Sequence, residues 1–180
     1  MIMNKRMKFI KNENGINYYL FTPSAISLYF NDKKKKHQSE PSHRYSITHK
    51  YHMFLYLMGG YRILYTEKDE EILSYIIYTR ANKKVIFNAG KKDYYTIFLW
   101  TYPEHRGKGL ATKMANVMLN DLSIDYDNFY KTISKDNLTS MHVAEKSGFF
   151  IECDSLKKGI FHTIYKVKQG TQYLYKKEKS

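Results

Sequence analysis

A chain of 180 residues with 43% hydrophobic content is long enough to bury a core without disulfides or metals and short enough to read as one domain, 1–180. Its one cysteine, Cys153, excludes an internal disulfide and fits a reducing cytoplasm. No apolar segment follows the basic start to make a signal peptide, and the longest apolar stretch, Met53 to Met58, is far too short to span a membrane.

The formal charge of +13 raises the question of a nucleic-acid partner. Met1 to Lys50 holds ten Lys/Arg against three acids, including the run Lys33-Lys34-Lys35-Lys36. The other lysines are scattered and lack a compact, aromatic-interleaved patch, so a solvated basic surface is favoured over a nucleic-acid groove.

In chain order, Lys8 to Ile10 and Asn17 to Phe21 are predicted strands, the second ended by Pro23. Ser24 to Phe30 is a short apolar segment, and residues 31–46 form a mobile basic loop with the lysine run and Pro41. Ile47 to Met58 fits a helix or a strand, and Gly59-Gly60 breaks it. Tyr61 to Thr66 and Ile72 to Tyr78 are expected to pair as an antiparallel hairpin around a charged connection. Tyr94 to Leu99 is an apolar run of β-branched and aromatic residues, predicted as a buried strand. Leu110, Met114, Val117, Met118 and Leu122 then recur at helical spacing. Phe129 to Ile133 is a strand, Asn137 to Ser147 a helix closed by Gly148, and Phe161 to Val167 the last strand; residues 170–180 are expected as a polar tail. This order implies an α+β fold, a mixed sheet with flanking helices.

The junction after the Tyr94–Leu99 run carries the chemistry. Pro103 lacks an N–H and stops the strand, and a glycine-rich turn leads into the helix at Leu110. The first turn of a helix leaves N–H groups unpaired and carries partial positive charge. Gly107 and Gly109 let a ligand approach the backbone closely, and Arg106 and Lys108 add charge. A phosphate or pyrophosphate is the expected guest. The turn matches neither a P-loop, lacking its spacing and hydroxyl, nor the dinucleotide fingerprint, since Thr112 replaces its third glycine.

Arg106-Gly107-Lys108-Gly109-Leu110-Ala111 resembles the R/Q-x-x-G-x-G/A motif of the GCN5-related N-acetyltransferases (GNAT superfamily), and Asn137 to Phe149 resembles that family's N-x-x-(A/S)…E-K-x-G-F helix. The resemblance covers roughly Tyr94 to Lys168. It implies the acyl-CoA N-acyltransferase fold, with a mostly antiparallel central sheet, and acetyl-CoA as co-substrate. Arg106, Gly107, Lys108, Gly109, Leu110, Ala111 and Thr112 would hold its pyrophosphate. Leu99, Trp100 and Thr101 would polarise the thioester and hold the pantetheine through their backbone, with Asn137 and Ser140 also in contact. Asn137 fits a plain helix N-cap equally well.

The tyrosine that often protonates the leaving thiolate in this family falls at Ala144, which leaves the general acid unassigned; Ser140 is a substitute, with a hydroxyl satisfied by its own helix as the alternative. The position of a glutamate base found in some relatives is Tyr95, and Asp93, two residues earlier, projects to the same side of a regular strand or simply caps it. His49 and His52 stand at i, i+3 without a completing carboxylate or thiol, so no metal site is expected.

These residues lead to a cytoplasmic acetyltransferase acting on a small primary amine, an amino sugar or sugar nucleotide of surface-glycan assembly being the specific expectation. A homodimer is compatible with it. An RNA-directed acetyltransferase, an RNA-binding module, or an acetyl-CoA-binding protein with weak catalysis are the alternatives.

Overall fold

The computed structural model describes residues 7–25, 28, 53–54, 56–57, 59–82, 85–86, 88–120, 124–159 and 162–179. The expected basic loop 31–46 lies outside them, as do His37, His43, His49, His52 and Leu122. Within Ile47 to Met58, where helix and strand competed, Met53, Phe54, Tyr56 and Leu57 are helical.

The chain opens with β1 (Met7–Glu13) and β2 (Ile16–Phe21), paired antiparallel across an Asn14-Gly15 turn whose residues both have positive φ. That is the Asn-Gly hairpin signal, matched to the twist of the strands it joins. β3 (Arg62–Lys68) pairs antiparallel with β2. β4 (Glu71–Arg80) follows an equally tight turn at Asp69 and Glu70, so the expected hairpin forms with longer arms: Glu67, Lys68 and Glu71 are strand residues. β5 (Tyr94–Thr101) leads through a 3-10 turn (Pro103–His105) to helix α1 (Leu110–Asn120). β6 (Asn128–Ser134), α2 (Leu138–Lys146), β7 (Phe150–Lys158), β8 (Thr163–Val167) and β9 (Gln172–Glu178) complete the chain.

The nine strands among the described residues follow the order β1-β2-β3-β4-β5-β6-β9-β7-β8. β5 and β6 run parallel, and β9 is antiparallel to both β6 and β7. Two expectations change here. The segment 170–180 is no tail, because Gln172–Glu178 is an inner strand with Leu174 and Tyr175 fully buried. The strand expected at Phe161 to Val167 is therefore not the last, and β7 joins the elements read from sequence. Ladder partners on both sides make β9 a strand despite its three charged residues.

The residues group into two compact units, Met1–Ile77 with Phe98–Leu122 and Tyr78–Ile97 with Ser123–Ser180; β4 and β5 contribute to each. The first has a tyrosine-rich core. Tyr75 lies 6.0 Å from Tyr65, 5.9 Å from Phe98 and 6.5 Å from Tyr102, ring centre to ring centre. Met114 and Met118 of α1 are fully buried, as the helical period of the sequence requires. In the second unit Phe129 is packed by Tyr94 at 5.3 Å and Tyr126 at 4.8 Å.

Helix α2 has well-formed ends. The Asn137 side chain accepts a 3.0 Å hydrogen bond from the Ser140 N–H. At the other end Gly148 (φ +77°) turns the chain so that its N–H reaches Glu145 O and the Phe149 N–H reaches Ala144 O, a Schellman closure. Replacing Asn137 with alanine leaves that first-turn N–H without its acceptor. The expected result is a loss of about 1 kcal/mol in urea-denaturation stability. An unchanged midpoint would show that the cap contributes nothing.

Candidate functional site

Most of the coenzyme residues expected from sequence lie in the first unit, at the end of β5 and the start of α1. β5 stops where Pro103 cannot extend a ladder, and the Pro103–His105 turn is held by the His105 N–H on Tyr102 O and the Arg106 N–H on Pro103 O. Gly107 (φ +74°) and Gly109 (φ +73°) then take left-handed backbone conformations, where a side chain would be strained, and a Cβ on either would meet nothing within 4 Å. The loop is glycine-rich because of its backbone path, and it keeps an open face. Gly109 O accepts from the Lys113 N–H, so the helix ladder starts there. The N–H groups of Leu110, Ala111 and Thr112 lie above that first bond, and no acidic side chain stands in the first turn to compete for them.

The loop's charges are anchored. Arg106 donates its Nε–H to Thr101 O at 3.0 Å, and its guanidinium lies 4.8 Å from the centre of the Trp100 ring, which is itself stacked on Phe98. Lys108 Nζ donates to Glu104 O at 3.2 Å. Arg106, Gly107, Lys108 and Gly109 are exposed, Leu99, Trp100, Thr101, Ala111 and Thr112 are half-buried, and Leu110 is buried. Trp100 Nε1 and Thr101 Oγ1 are buried without hydrogen-bond partners. Orphaned polar atoms at a strand end, beside open helical N–H groups and a fixed guanidinium, fit a polar, phosphate-bearing ligand.

The remaining expected residues belong to the second unit. Asn137 is the N-cap of α2, and Ser140 is half-buried with its N–H on that cap. Ala144 is wholly buried in the packed side of α2, and His142 is exposed. β5 and β6 pair only at Tyr94 with Phe129 and Tyr95 with Tyr130. Just past that pairing the Tyr95 hydroxyl meets Thr132 Oγ1 at 2.8 Å. Burial pushes the Tyr95 phenol above its ordinary value, while the Thr132 contact pulls it back in part.

Asp93 is buried and engaged. One carboxylate oxygen accepts from the Gly90 N–H at 2.8 Å and the other from Asn128 Nδ2 at 2.8 Å, while its own carbonyl accepts from the Ala81 N–H. Of the two roles open from sequence, this geometry is that of a cap on the strand. Tyr95 and Asp93 share the second unit with Asn137 and Ser140, and the glycine-rich loop belongs to the first.

Two features escaped the sequence. Lys131, in the middle of β6, is 7% exposed with its ammonium 4.2 Å from the Phe149 ring centre, and burial lowers its pKa to about 8. Glu71, Glu104 and His105 converge in the first unit although β4 and β5 separate them in sequence. Neither carries a sequence signal beyond residue type.

A family model of the acetyltransferase (GNAT) family matches residues 23–149. Among solved structures, the spermidine N-acetyltransferase from Vibrio cholerae, in complex with CoA and spermine, aligns over 90% of this chain and 95% of its own at 14% identity and a TM-score of 0.56. The yncA protein of Salmonella typhimurium, with its cofactor acetyl-CoA, aligns over 73% and 74% at 16% identity and a TM-score of 0.53. An acetyltransferase of the GNAT family from Streptococcus pneumoniae aligns over 73% and 75% at 14% identity and a TM-score of 0.51. None of the curated proteins matches the sequence. The matched family model defines an acyltransferase of the acetyl-CoA-using type. The chain belongs to the acetyltransferase (GNAT) family, whose enzymes use acetyl-CoA as co-substrate. No helix among the described residues is long and apolar enough to cross a membrane.

Proposed function

We propose that this protein transfers the acetyl group of acetyl-CoA to the primary amine of a small, phosphate-bearing acceptor in the cytoplasm, a nucleotide-linked amino sugar being the class that fits best. The observation that carries the reading is the open loop Arg106 to Thr112, with its first-turn N–H groups, its fixed guanidinium and the orphaned Trp100 and Thr101 polar atoms beside it. The coenzyme supplies an activated thioester. The chain's part is to hold its phosphates on the loop and to orient it along Leu99, Trp100 and Thr101.

The acceptor class rests on charge. A chain with a formal charge of +13 repels a polycationic amine and draws in an acceptor that carries phosphate. That separates it from the polyamine acetylation named for the Vibrio relative.

With Ala144 where the family's tyrosine would stand, the proton needed by the leaving thiolate comes from another donor. Asp93, with both oxygens engaged, holds the start of β5.

The test is free-thiol release from acetyl-CoA over a panel holding a nucleotide-linked amino sugar, the free amino sugar and spermidine. The nucleotide-linked sugar is expected to turn over fastest, with an advantage that shrinks as salt rises. Spermidine as the best acceptor would overturn the acceptor class. Thiol release no faster than the hydrolysis blank on any amine would leave a coenzyme-binding protein.

A further inference from the structure

Glu71 is the first residue of β4, and Glu104 and His105 close the 3-10 turn after β5. One ligand atom from each lies within 4.8 Å of the other two. His105 Nε2 is fully buried and makes no hydrogen bond; its nearest acidic atom, Glu71 Oε1, is 3.9 Å away, too far for one. The Nε2 atom thus stands beside Glu71 at a distance that no hydrogen bond bridges. A cavity of about 320 Å³ opens beside it, lined by Glu71, His105, Asn14, Asp69, Lys68 and Lys108 among others.

We infer that Glu71, Glu104 and His105 form a divalent transition-metal site, with zinc as its best-fitting ion. One imidazole nitrogen and two carboxylate oxygens are a borderline donor set that suits zinc and disfavours magnesium, which prefers oxygen and water. Metal–ligand bonds of about 2.0–2.2 Å place tetrahedral ligand atoms roughly 3.4 Å apart. Contraction from the present spacing takes up to about 1.4 Å, within reach of side-chain rotation at exposed Glu104 and half-buried Glu71. Three protein ligands leave a fourth position, and the cavity gives it a route to solvent. A bound ion would tie the start of β4 to the turn immediately before Arg106 and fix the entry to the glycine loop. The inference is independent of acetyl transfer, since every ligand atom lies outside the loop itself.

Calorimetry of the full chain, stripped with chelator and titrated with zinc chloride in the absence of acetyl-CoA, tests it. One ion per chain with micromolar affinity is expected, together with a rise in melting temperature. His105→Ala should weaken zinc at least tenfold and abolish the zinc-dependent rise, while its metal-free melting temperature stays near that of the metal-free parent. Glu104→Gln, a change at an exposed carboxylate, gives the same reading should the histidine variant fold poorly. Magnesium in place of zinc should give no saturable heat. No zinc binding at micromolar concentration overturns the inference. So does zinc binding that survives both variants unchanged, because the ion would then sit on other histidines of the chain.

Discussion

Arg106→Glu is expected to weaken acetyl-CoA binding at least tenfold in calorimetry, about 1.4 kcal/mol or more. The physical reason lies in how the side chain is held. Its Nε–H is spent on Thr101 O and its plane lies over Trp100, so the guanidinium stays beside the loop at no further entropic cost when a pyrophosphate arrives. A glutamate there removes one favourable charge, adds a repulsive one and releases the Trp100 stack. Arg106→Gln, which removes charge without reversing it, should lose less affinity, and raising salt should narrow the gap between the two variants. Because Arg106 is exposed, neither change should unfold the protein. Equal affinity in the parent and Arg106→Glu would mean that the loop is a turn and nothing more.

The largest stability effect should come from Lys131→Met. Burial lowers the Lys131 pKa from the ordinary 10.5 to about 8, so the folded chain binds this proton less tightly than the unfolded chain does. Stability therefore rises with pH between those two values. Below pH 8 both states are protonated and the penalty for a buried cation is fully present, about 3 kcal/mol from the size of the shift. As pH climbs towards 10.5 the penalty fades. The Phe149 ring, 4.2 Å from the ammonium, offsets part of it. A methionine of similar volume should then stabilise the protein by about 2 kcal/mol at pH 7 in urea denaturation, and by less than about 1 kcal/mol at pH 10. An advantage equal at both pH values would assign the effect to packing, and a loss of stability at pH 7 would show that the amine is needed where it sits.

The parts of the fold that were legible in the sequence are those where composition and environment agree. Tyr94 to Leu99 and Ile72 to Tyr78 are continuous runs of β-branched and aromatic residues, and both are strands. α1 was visible because Leu110, Met114, Val117 and Met118 fall on one face, which is the buried one. The glycine-rich turn before α1 is legible for a different reason: its glycines are imposed by positive φ, and that constraint acts on the sequence directly.

β7 and β9 show the opposite case. Phe150-Ile151-Glu152-Cys153-Asp154 puts exposed apolar residues beside half-buried acidic ones, so period-2 patterning fails. β9 ends in Lys176-Lys177-Glu178, and the Lys176–Glu178 ion pair at 2.7 Å lets those charges lie along a strand. What makes these strands is hydrogen bonding to partners distant in sequence, which local propensity does not encode. The site divides the same way. The glycine-rich loop proposed to hold the coenzyme is contiguous in sequence and readable there. The Tyr95 hydroxyl's partner Thr132, the engagement of Asp93 by Asn128, and the convergence of Glu71 on Glu104 and His105 all depend on tertiary placement.

Trp100 is the only tryptophan in a chain with 18 tyrosines. Its indole is stacked on Phe98, faces the Arg106 guanidinium and keeps a buried, unpartnered N–H. The protein thus carries a built-in optical reporter at the edge of its glycine-rich loop, and all indole emission originates there. Light chosen to excite indole alone reads the polarity and charge around that one ring without interference from the tyrosine-rich core. Any ligand that draws the guanidinium off the ring, or accepts the indole proton, changes the colour and yield of the emission, so occupancy of the loop can be followed in real time on unlabelled protein.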